Sequence, residues 1–522
     1  MADATLPALI AQMTQPNFYP HGVKEPIRLI QTHVSYVLLT GDYAYKVKKP
    51  VDFGFLDYST LAKRQHFCQE ELRLNQRTAA DLYLAVLPIT QTGDRYQFNG
   101  DGTVVDYAVQ MRQFPQDALL SHRFDQGDLE EDLVRQLART IAAFHQAAET
   151  NDEIRSYGTV PQVRQSIDEN YDQTAAFIGG PQTQAQFEAT RAYTDRFFTE
   201  RSALFQRRID QGWVRACHGD LHLNNICYWQ DHLWLFDCIE FNKPFRFVDV
   251  MFDIAYLVMD FTAQGRSDLV AAFVSEYVEQ TGDWEGLEIL PLYVSRQSYV
   301  RAKVTSFLLG DPAIPEADKQ AAAAKAARYY TLAHDYVQPQ PGRILLMAGL
   351  SGSGKTTVAR ELSRALGAIH IRSDAVRKHL GGVPLQERGD DSLYTPAMTQ
   401  RTYERLVSLG VTLAQQGYTV ILDAKYDRAQ HREAAQAVAQ EQSIPFHIVH
   451  CTAPKAILRQ RVAARSGDIA DATVAVLEKQ TLEPFGPEAA AYVTTVDTTQ
   501  PVEPQLRPIV TAHATQPTAD LT

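Results

Sequence analysis

The run GLSGSGKT at residues 349–356 leaves little choice about the local fold. It fits GxxxxGK[ST] without a mismatch, follows the apolar run Ile344–Ala348 and opens a segment of helical spacing. Glycines let backbone N–H groups turn toward a phosphate with no Cβ in the way. The start of the following helix adds partial positive charge. Lys355 is the residue that reaches the β- and γ-phosphates, and Thr356 offers a hydroxyl to Mg²⁺. Gly349, Ser351, Gly352, Ser353, Gly354, Lys355, Thr356 and Thr357 are therefore the candidate nucleotide-binding residues. The competing reading, a plain Gly/Ser connection, is the weaker one for a complete pattern in a strand–helix context.

Around that loop, apolar strands alternate with helices. The spacing predicts strands at Ile344–Ala348, Ala368–Arg372, Thr419–Asp423 and Phe446–Cys451, and helices at Lys355–Leu366, Thr399–Gln416 and Arg428–Gln442. Such a series implies an α/β domain with a doubly wound parallel sheet. Ligands of these sheets gather at the carboxyl ends of the strands. Asp374 stands there, placed to take a proton from a substrate hydroxyl. Arg377, one helical turn on, is placed to bind the same substrate. Asp423 ends the strand TVILD, where a carboxylate that organises metal is expected. Arg461 and Arg465, four apart on one helix face, are candidates to clamp the transferring phosphate as a lid. The plain alternatives are a helix N-cap for Asp374 and a solvated face for the arginines.

The segments GLSGSGKTT, SDAVR and LDAKYDRAQHRE resemble the small P-loop kinases related to gluconate kinases, zeta toxins and the 5′-hydroxyl polynucleotide kinase domain, over about 342–495. The SD-x-x-R spacing, with Arg428 and Arg432 after the aspartate-led strand, is most similar to the polynucleotide kinase branch. That resemblance implies an aspartate that activates a hydroxyl and an arginine that contacts the acceptor phosphate. Lys425 and Tyr426 depart from the branch, which usually carries a Thr and an apolar or Asn residue there.

A second signal lies upstream. HGDLHLNNI at 218–226 is followed by LFD at 235–237. Phosphoryl transfer of the protein-kinase type needs a carboxylate that orients the acceptor hydroxyl, and an Asn and a second Asp that hold Mg²⁺. Asp220 and Asn225 are five apart and Asp237 lies seventeen beyond Asp220, room for a loop and a short hairpin. A polar turn between two strands is the bland reading. HGDLHxxNI with FDxIEF resembles the aminoglycoside phosphotransferase family, whose pattern choline, fructosamine and homoserine kinases share. That resemblance implies a two-lobed, protein-kinase-like α+β fold, Asp220 as catalytic base, and metal at Asn225 and Asp237. It puts His222 where protein kinases carry a phosphate-neutralising lysine.

Such a fold also needs a strand lysine paired with a helix glutamate. SYVLLT and YAYKVKK, joined by Gly41 and Asp42, read as a hairpin. Strand alternation puts Lys46 and Lys48 on one face and Lys49 on the other. Lys46 is favoured, with Lys48 close behind, and Glu71 is favoured over Glu70 as partner. A solvated strand face is the competing reading for any one of these lysines. No clear Gly-rich loop precedes them; the turn Thr32–Ser35 stands in its place. Gln110–Phe114 is expected to be the hinge that meets adenine. Asp249 and Asp253 are expected to brace the catalytic loop.

The stretch HDYVQPQPGR at 334–343 marks a boundary. The expected domains are 1–338, with a β-rich lobe at about 25–115 and a helical lobe at about 116–338, and 339–497 for the P-loop part. Residues 498–522, rich in Thr, Pro and Gln, read as a weakly ordered tail. The net charge of −12 argues against a general nucleic-acid binder. Residues 342–522 hold 19 Lys/Arg and 18 Asp/Glu, leaving 31 and 44 for the rest. The acidic first part suits a cationic acceptor such as an amino sugar. Five scattered cysteines without a CxxC pair suit reduced thiols and a cytoplasmic protein. No apolar run reaches the ~18 residues of a membrane span, and no basic residue precedes the short apolar patch at the N-terminus.

The whole chain resembles bacterial proteins that join these two modules. It implies a bifunctional phosphotransferase that uses ATP and Mg²⁺ on hydroxyls of small molecules: a sugar, amino sugar or related metabolite. Two other readings stand beside it. One sends the C-terminal part to a nucleic-acid 5′-hydroxyl, which its neutral charge permits without supporting. The other is a nucleotide-sensing regulator.

Overall fold

A computed structural model describes residues 6–24, 26–312, 314–464, 469–487 and 491–513. The predicted hairpin is β2 (Ser35–Leu39) and β3 (Tyr43–Lys48), antiparallel with Val37 opposite Lys46. It joins β1 (Arg28–Gln31), β4 (Tyr83–Thr92), β5 (Arg95–Phe98) and β6 (Thr103–Arg112) in a sheet of order β1-β2-β3-β6-β4-β5. Alternation decides what each face does. Tyr45 and Val47 enter an apolar cluster with Phe18, Tyr19 and Leu38. Lys46 and Lys48 point the other way, toward α1 (Leu61–Ala79), which packs on β4 and β6.

The second lobe is helical. Its main helices are α2 (Glu131–Ala147), α3 (Val160–Thr174), α4 (Gln184–Glu200), α5 (Val250–Ala263), α6 (Ser267–Thr281), α7 (Leu290–Phe307) and α8 (Glu316–Asp335). In α2, Val134, Leu137, Ala138, Ile141 and Ala142 recur at helical spacing and are buried. Two short ribbons are set among the helices: β7 (Val214–Ala216) with β10 (Phe247–Asp249), and β8 (Ile226–Trp229) with β9 (His232–Leu235).

The last part is a parallel sheet of order β12-β13-β11-β14-β15, with β11 (Arg343–Ala348), β12 (Ile369–Arg372), β13 (Thr419–Asp423), β14 (Phe446–Thr452) and β15 (Val493–Asp497). Its helices are α9 (Lys355–Leu366), α10 (Ser373–Gly381), α11 (Pro396–Gln415), α12 (Ala429–Glu441), α13 (Lys455–Ala463) and α14 (Glu503–His513). The α/β fold with a doubly wound parallel sheet is as the alternation implied.

One expectation is corrected. Residues 503–513 are not a weakly ordered tail but α14. Leu506 and Ile509 pack against Val358, Leu362, Leu345 and Met347 on one face of the sheet. Burying two such side chains stabilises by roughly 3–6 kcal/mol in all. The apolar spacing Val502, Leu506, Ile509, Val510 was masked by the Pro and Gln around it.

The opposite face of β11, with Ile344, Leu346 and Ala348, belongs to the same continuous core as α2, α5 and α6. Helix α6 is buried almost all round. It packs on α2 on one side and on α9 and β12 on the other. Ser275 Oγ accepts from the His370 N–H at 3.0 Å. Glu279 lies 3.5 Å from Arg372. Arg364 meets Glu131 at 3.0 Å, and the Tyr418 hydroxyl donates to the Leu287 carbonyl at 2.9 Å. All five cysteines are buried and unpaired. Among the described residues no helix is long and apolar enough to cross a membrane.

Candidate active sites

The first site sits between the two lobes. β3 delivers Lys46 to Glu71 of α1 at 2.8 Å and to Asp237 at 2.6 Å. Lys48, also on β3, meets the other oxygen of Glu71 at 2.5 Å and pairs with Glu240, which also takes the Tyr58 hydroxyl. Burial would lower both ammonium groups, but the surrounding carboxylates hold both well above the usual lysine range. The choice between Lys46 and Lys48 thus has no single answer: one glutamate bridges both. Glu70 faces away and pairs with Arg73. Asp237 has φ 63°, the left-handed region a non-glycine residue rarely adopts. Its N–H is held by the Tyr83 hydroxyl at 3.2 Å.

Asp220, His222 and Asn225 converge in the loop after β7. Asn225 Nδ2 donates to the Asp220 backbone carbonyl at 2.9 Å and to its carboxylate at 3.3 Å. The end of the amide that remains for a cation is its carbonyl. His222 Nε2 lies 3.3 Å from Asp220 Oδ2. Burial would raise the Asp220 carboxyl, but His222 with its hydrogen bond, His218 and Arg301 hold it below the usual range. Burial would lower His222, and Asp220 outweighs that and raises it. Beneath the loop, Asp253 accepts from the His218 and Gly219 N–H groups at 2.9 and 2.8 Å and meets His145 at 3.0 Å. Asp249 instead caps α5 and pairs with Arg208.

The second site is the turn between β11 and α9. Gly352 and Gly354 take φ of 80° and 85°. A Cβ at Gly352 would stand 2.7 Å from the Leu458 carbonyl oxygen, so only glycine fits there. Thr356 Oγ1 donates to Asp423 Oδ2 at 2.8 Å, and His370 Nε2 contacts the same oxygen at 3.1 Å. Burial would raise Asp423, but His370, Lys355 and Arg372 hold it down at about 2. Lys355 Nζ donates to the Leu350 carbonyl of its own loop at 2.9 Å. Ser351, through its N–H and hydroxyl, is tied to the Gln480 side chain at 3.0 Å in both contacts.

Asp374 lies in the first turn of α10 and Arg377 one turn on. Arg377 donates to the Leu393 carbonyl at 2.8 Å and stacks over Tyr394. Arg461 reaches Thr498 at 2.7 Å and, at 3.4 Å, the Gly352 carbonyl of the phosphate loop. Arg465 lies outside the described residues. Sequence reasoning missed Glu240, His370, Gln480 and Thr498. Only Glu240 left a trace, inside the FDxIEF pattern; the others arrive through tertiary packing.

Two stretches match known families: residues 67–290 the Phosphotransferase enzyme family, and residues 344–483 an AAA domain. With the two-lobed fold and the P-loop sheet, they define an ATP-dependent kinase built from two phosphotransferase modules. The chain is 30% identical over 452 residues to the uncharacterized protein Rv2004c of Mycobacterium tuberculosis strain H37Rv, covering 85% of this chain and 88% of that one. It belongs to the family of that mycobacterial protein. The C-terminal part is also 30% identical over 143 residues to an adenylyl-sulfate kinase of Paraburkholderia xenovorans, covering 25% of this chain and 74% of that one. Among solved structures, amicoumacin kinase hAmiN is similar at 16% identity, covering 63% of this chain and 94% of that chain, with a TM-score of 0.40.

Proposed function

We propose that each module transfers the γ-phosphoryl group of ATP to a hydroxyl of a small molecule, and that both use Mg²⁺. In the first module Lys46, fixed by Glu71, holds the nucleotide phosphates. Asp220 takes the acceptor proton as the hydroxyl oxygen bonds to the γ-phosphorus and the bond to the ADP oxygen breaks. His222, whose pKa Asp220 raises, is placed to offset charge on the transferring group. In the second module the loop amides, Lys355 and Arg461 hold the phosphates, and Asp374 and Arg377 serve the acceptor.

The donor sets fit a hard cation: Asn225 carbonyl and Asp237 carboxylate in one site, Thr356 hydroxyl and Asp423 carboxylate in the other. His370 and Thr356 both bond Asp423 Oδ2, which leaves Oδ1 for a hydrated ion. Bound there, Mg²⁺ supplies charge neutralisation on the β- and γ-phosphates. The observation that carries the reading is the Lys46–Glu71–Asp237 triad facing the Asp220–His222–Asn225 loop.

The test incubates the full chain with γ-labelled ATP, Mg²⁺ and fractionated bacterial metabolites, beside Asp220→Ala and Lys355→Ala. Adenylyl sulfate is added as one defined acceptor for the second module, on the similarity of that part to adenylyl-sulfate kinase. The expected result is labelled small-molecule product lost selectively with one variant or the other. ATP turnover with no labelled small molecule in any fraction would overturn the reading.

A further inference from the structure

The charges around Asp220 say more about its acceptor than the net charge of the chain does. Helix α7 carries Arg296, Arg301 and Lys303 into the helical lobe, where it packs on α3 and α5. Tyr256 of α5 links these cations to the catalytic loop. Its ring meets the His222 ring edge-on at 6.3 Å, and its hydroxyl lies in the field of Asp220, Arg296 and Arg301.

The cations are poorly matched. Arg296 lies over the Phe252 ring and gives one N–H to the neutral Gln297 side chain at 2.6 Å. Its Nε is buried with no hydrogen-bond partner among the described residues. Lys303 donates to two neutral carbonyls, Asn170 at 2.7 Å and Gln173 at 2.8 Å. Among the described residues the side-chain hydrogen bonds of Arg296 and Lys303 go to neutral groups. Glu169 is the acid whose charge reaches both, and it is exposed and bonded to Gln165. Among the described residues Arg301 pairs with Asp260, at 3.8 Å, which also takes the Leu223 N–H. Burial, with Arg296 beside it, pushes Lys303 down to about 8. On the loop itself, His222 Nδ1 is buried with no hydrogen-bond partner among the described residues. Desolvated cations with neutral partners are unfavourable unless an anion completes them.

We infer that the acceptor of the first module carries an anionic group, a carboxylate or a phosphate, beside its reacting hydroxyl, and that Arg296 and Arg301, with Lys303, bind that group. This rests on the phosphotransfer reading of the Asp220 site. It reverses the expectation of a cationic amino sugar: Arg296 and Arg301 both lie by Tyr256, whose ring meets that of His222 on the catalytic loop. Guanidinium groups suit such an acceptor because their planar fork matches both anions.

The test measures acceptor binding by calorimetry on the full chain saturated with Mg²⁺ and AMP-PNP. Glucose 6-phosphate and gluconate are compared with glucose and glucosamine, and glycerol 3-phosphate and glycerate with glycerol. The anionic members are expected to bind at least ~10-fold tighter than the neutral or amino members, the size of one charge-assisted contact. Arg301→Gln and Arg296→Gln are each expected to erase that preference while AMP-PNP binding stays unchanged. Arg301 is partly exposed, so its variant keeps the test sound should Arg296→Gln fail to fold. The phosphate and carboxylate arms tell which anion is read. No anionic preference in any set, or a preference that survives both variants, overturns the inference. Anion binding lost in the variants but with no labelled product in the wild-type chain would overturn the phosphotransfer reading and leave the anion site standing.

Discussion

Lys46 meets Asp237 across 191 residues of chain, whereas Lys355 and Thr356 lie inside the eight-residue loop that forms their own site. The first site is a set of side-chain charges brought together from β3, α1 and the segment after β9. The second is mostly backbone, with one distant carboxylate, Asp423, added. A site made of paired charges depends on each partner, because removing one leaves another buried and uncompensated. A site made of loop amides depends on glycine conformation and on the strand and helix that frame it.

The largest expected effect separates the two chemically. Asp220→Ala should lower transfer by the first module roughly 10²–10⁴-fold, the usual worth of a positioned base, with ATP binding and melting temperature nearly unchanged. Lys355→Ala should leave that transfer intact and weaken nucleotide binding in the second module alone. Labelled-product assays on the two full-length variants read both. Equal loss in both variants would end the idea of two independent sites.

Next in size is the glutamate shared by two lysines. Glu71→Ala takes one carboxylate from both Lys46 and Lys48, leaving them Asp237 and Glu240, and should destabilise the first module by up to about 3–5 kcal/mol in chemical denaturation. Glu70→Ala, one residue away and facing solvent, should change stability by less than about 1 kcal/mol. Similar effects from both would mean that the buried pairs contribute little.

Leu506→Ala should destabilise by about 2–5 kcal/mol through the space left beside Val358 and Leu362. Hydrogen exchange should rise first in β11 and α9. Unchanged protection there would return residues 503–513 to the status of a dispensable tail.

The smallest effect is a pH dependence at Glu279. Burial, only partly opposed by Arg372, pushes its carboxyl up to about 7. Between its ordinary value of 4.5 and about 7 the unfolded chain has lost this proton while the folded chain keeps it. This group therefore makes stability fall as pH rises through that window. Glu279→Gln should flatten that slope, read as melting temperature against pH. A slope that persists in the variant assigns it elsewhere.

What the sequence disclosed follows the same division. Local patterns were readable: the phosphate loop, the five-residue step from Asp220 to Asn225, and the strand ending at Asp423 needed no tertiary knowledge. Strand alternation put Lys46 and Lys48 on one face, but alternation cannot say that Glu71 would bridge both. Arg296 and Arg301 carry no motif; their meaning comes from α7 lying against α5 beside the catalytic loop. The helix at 503–513 was lost to composition, because Pro and Gln diluted an apolar stripe that matters only once the sheet is there to receive it. Net charge says little about the acceptor for a related reason: it averages over the whole surface, most of which an acceptor does not touch.

Helix α6 has a further consequence, for heredity rather than chemistry. The prolines at 339 and 341 invite a cut there, and a gene divided at that point would encode two ordinary-looking kinases. Yet α6 lies wedged against β12, and its Ser275 completes the backbone bonding of His370, the partner of Asp423. Each half would be born with a raw apolar wall where its neighbour had been. Recombination that swaps one module must therefore carry a matching surface with it, and the pair is expected to pass between genomes as one unit.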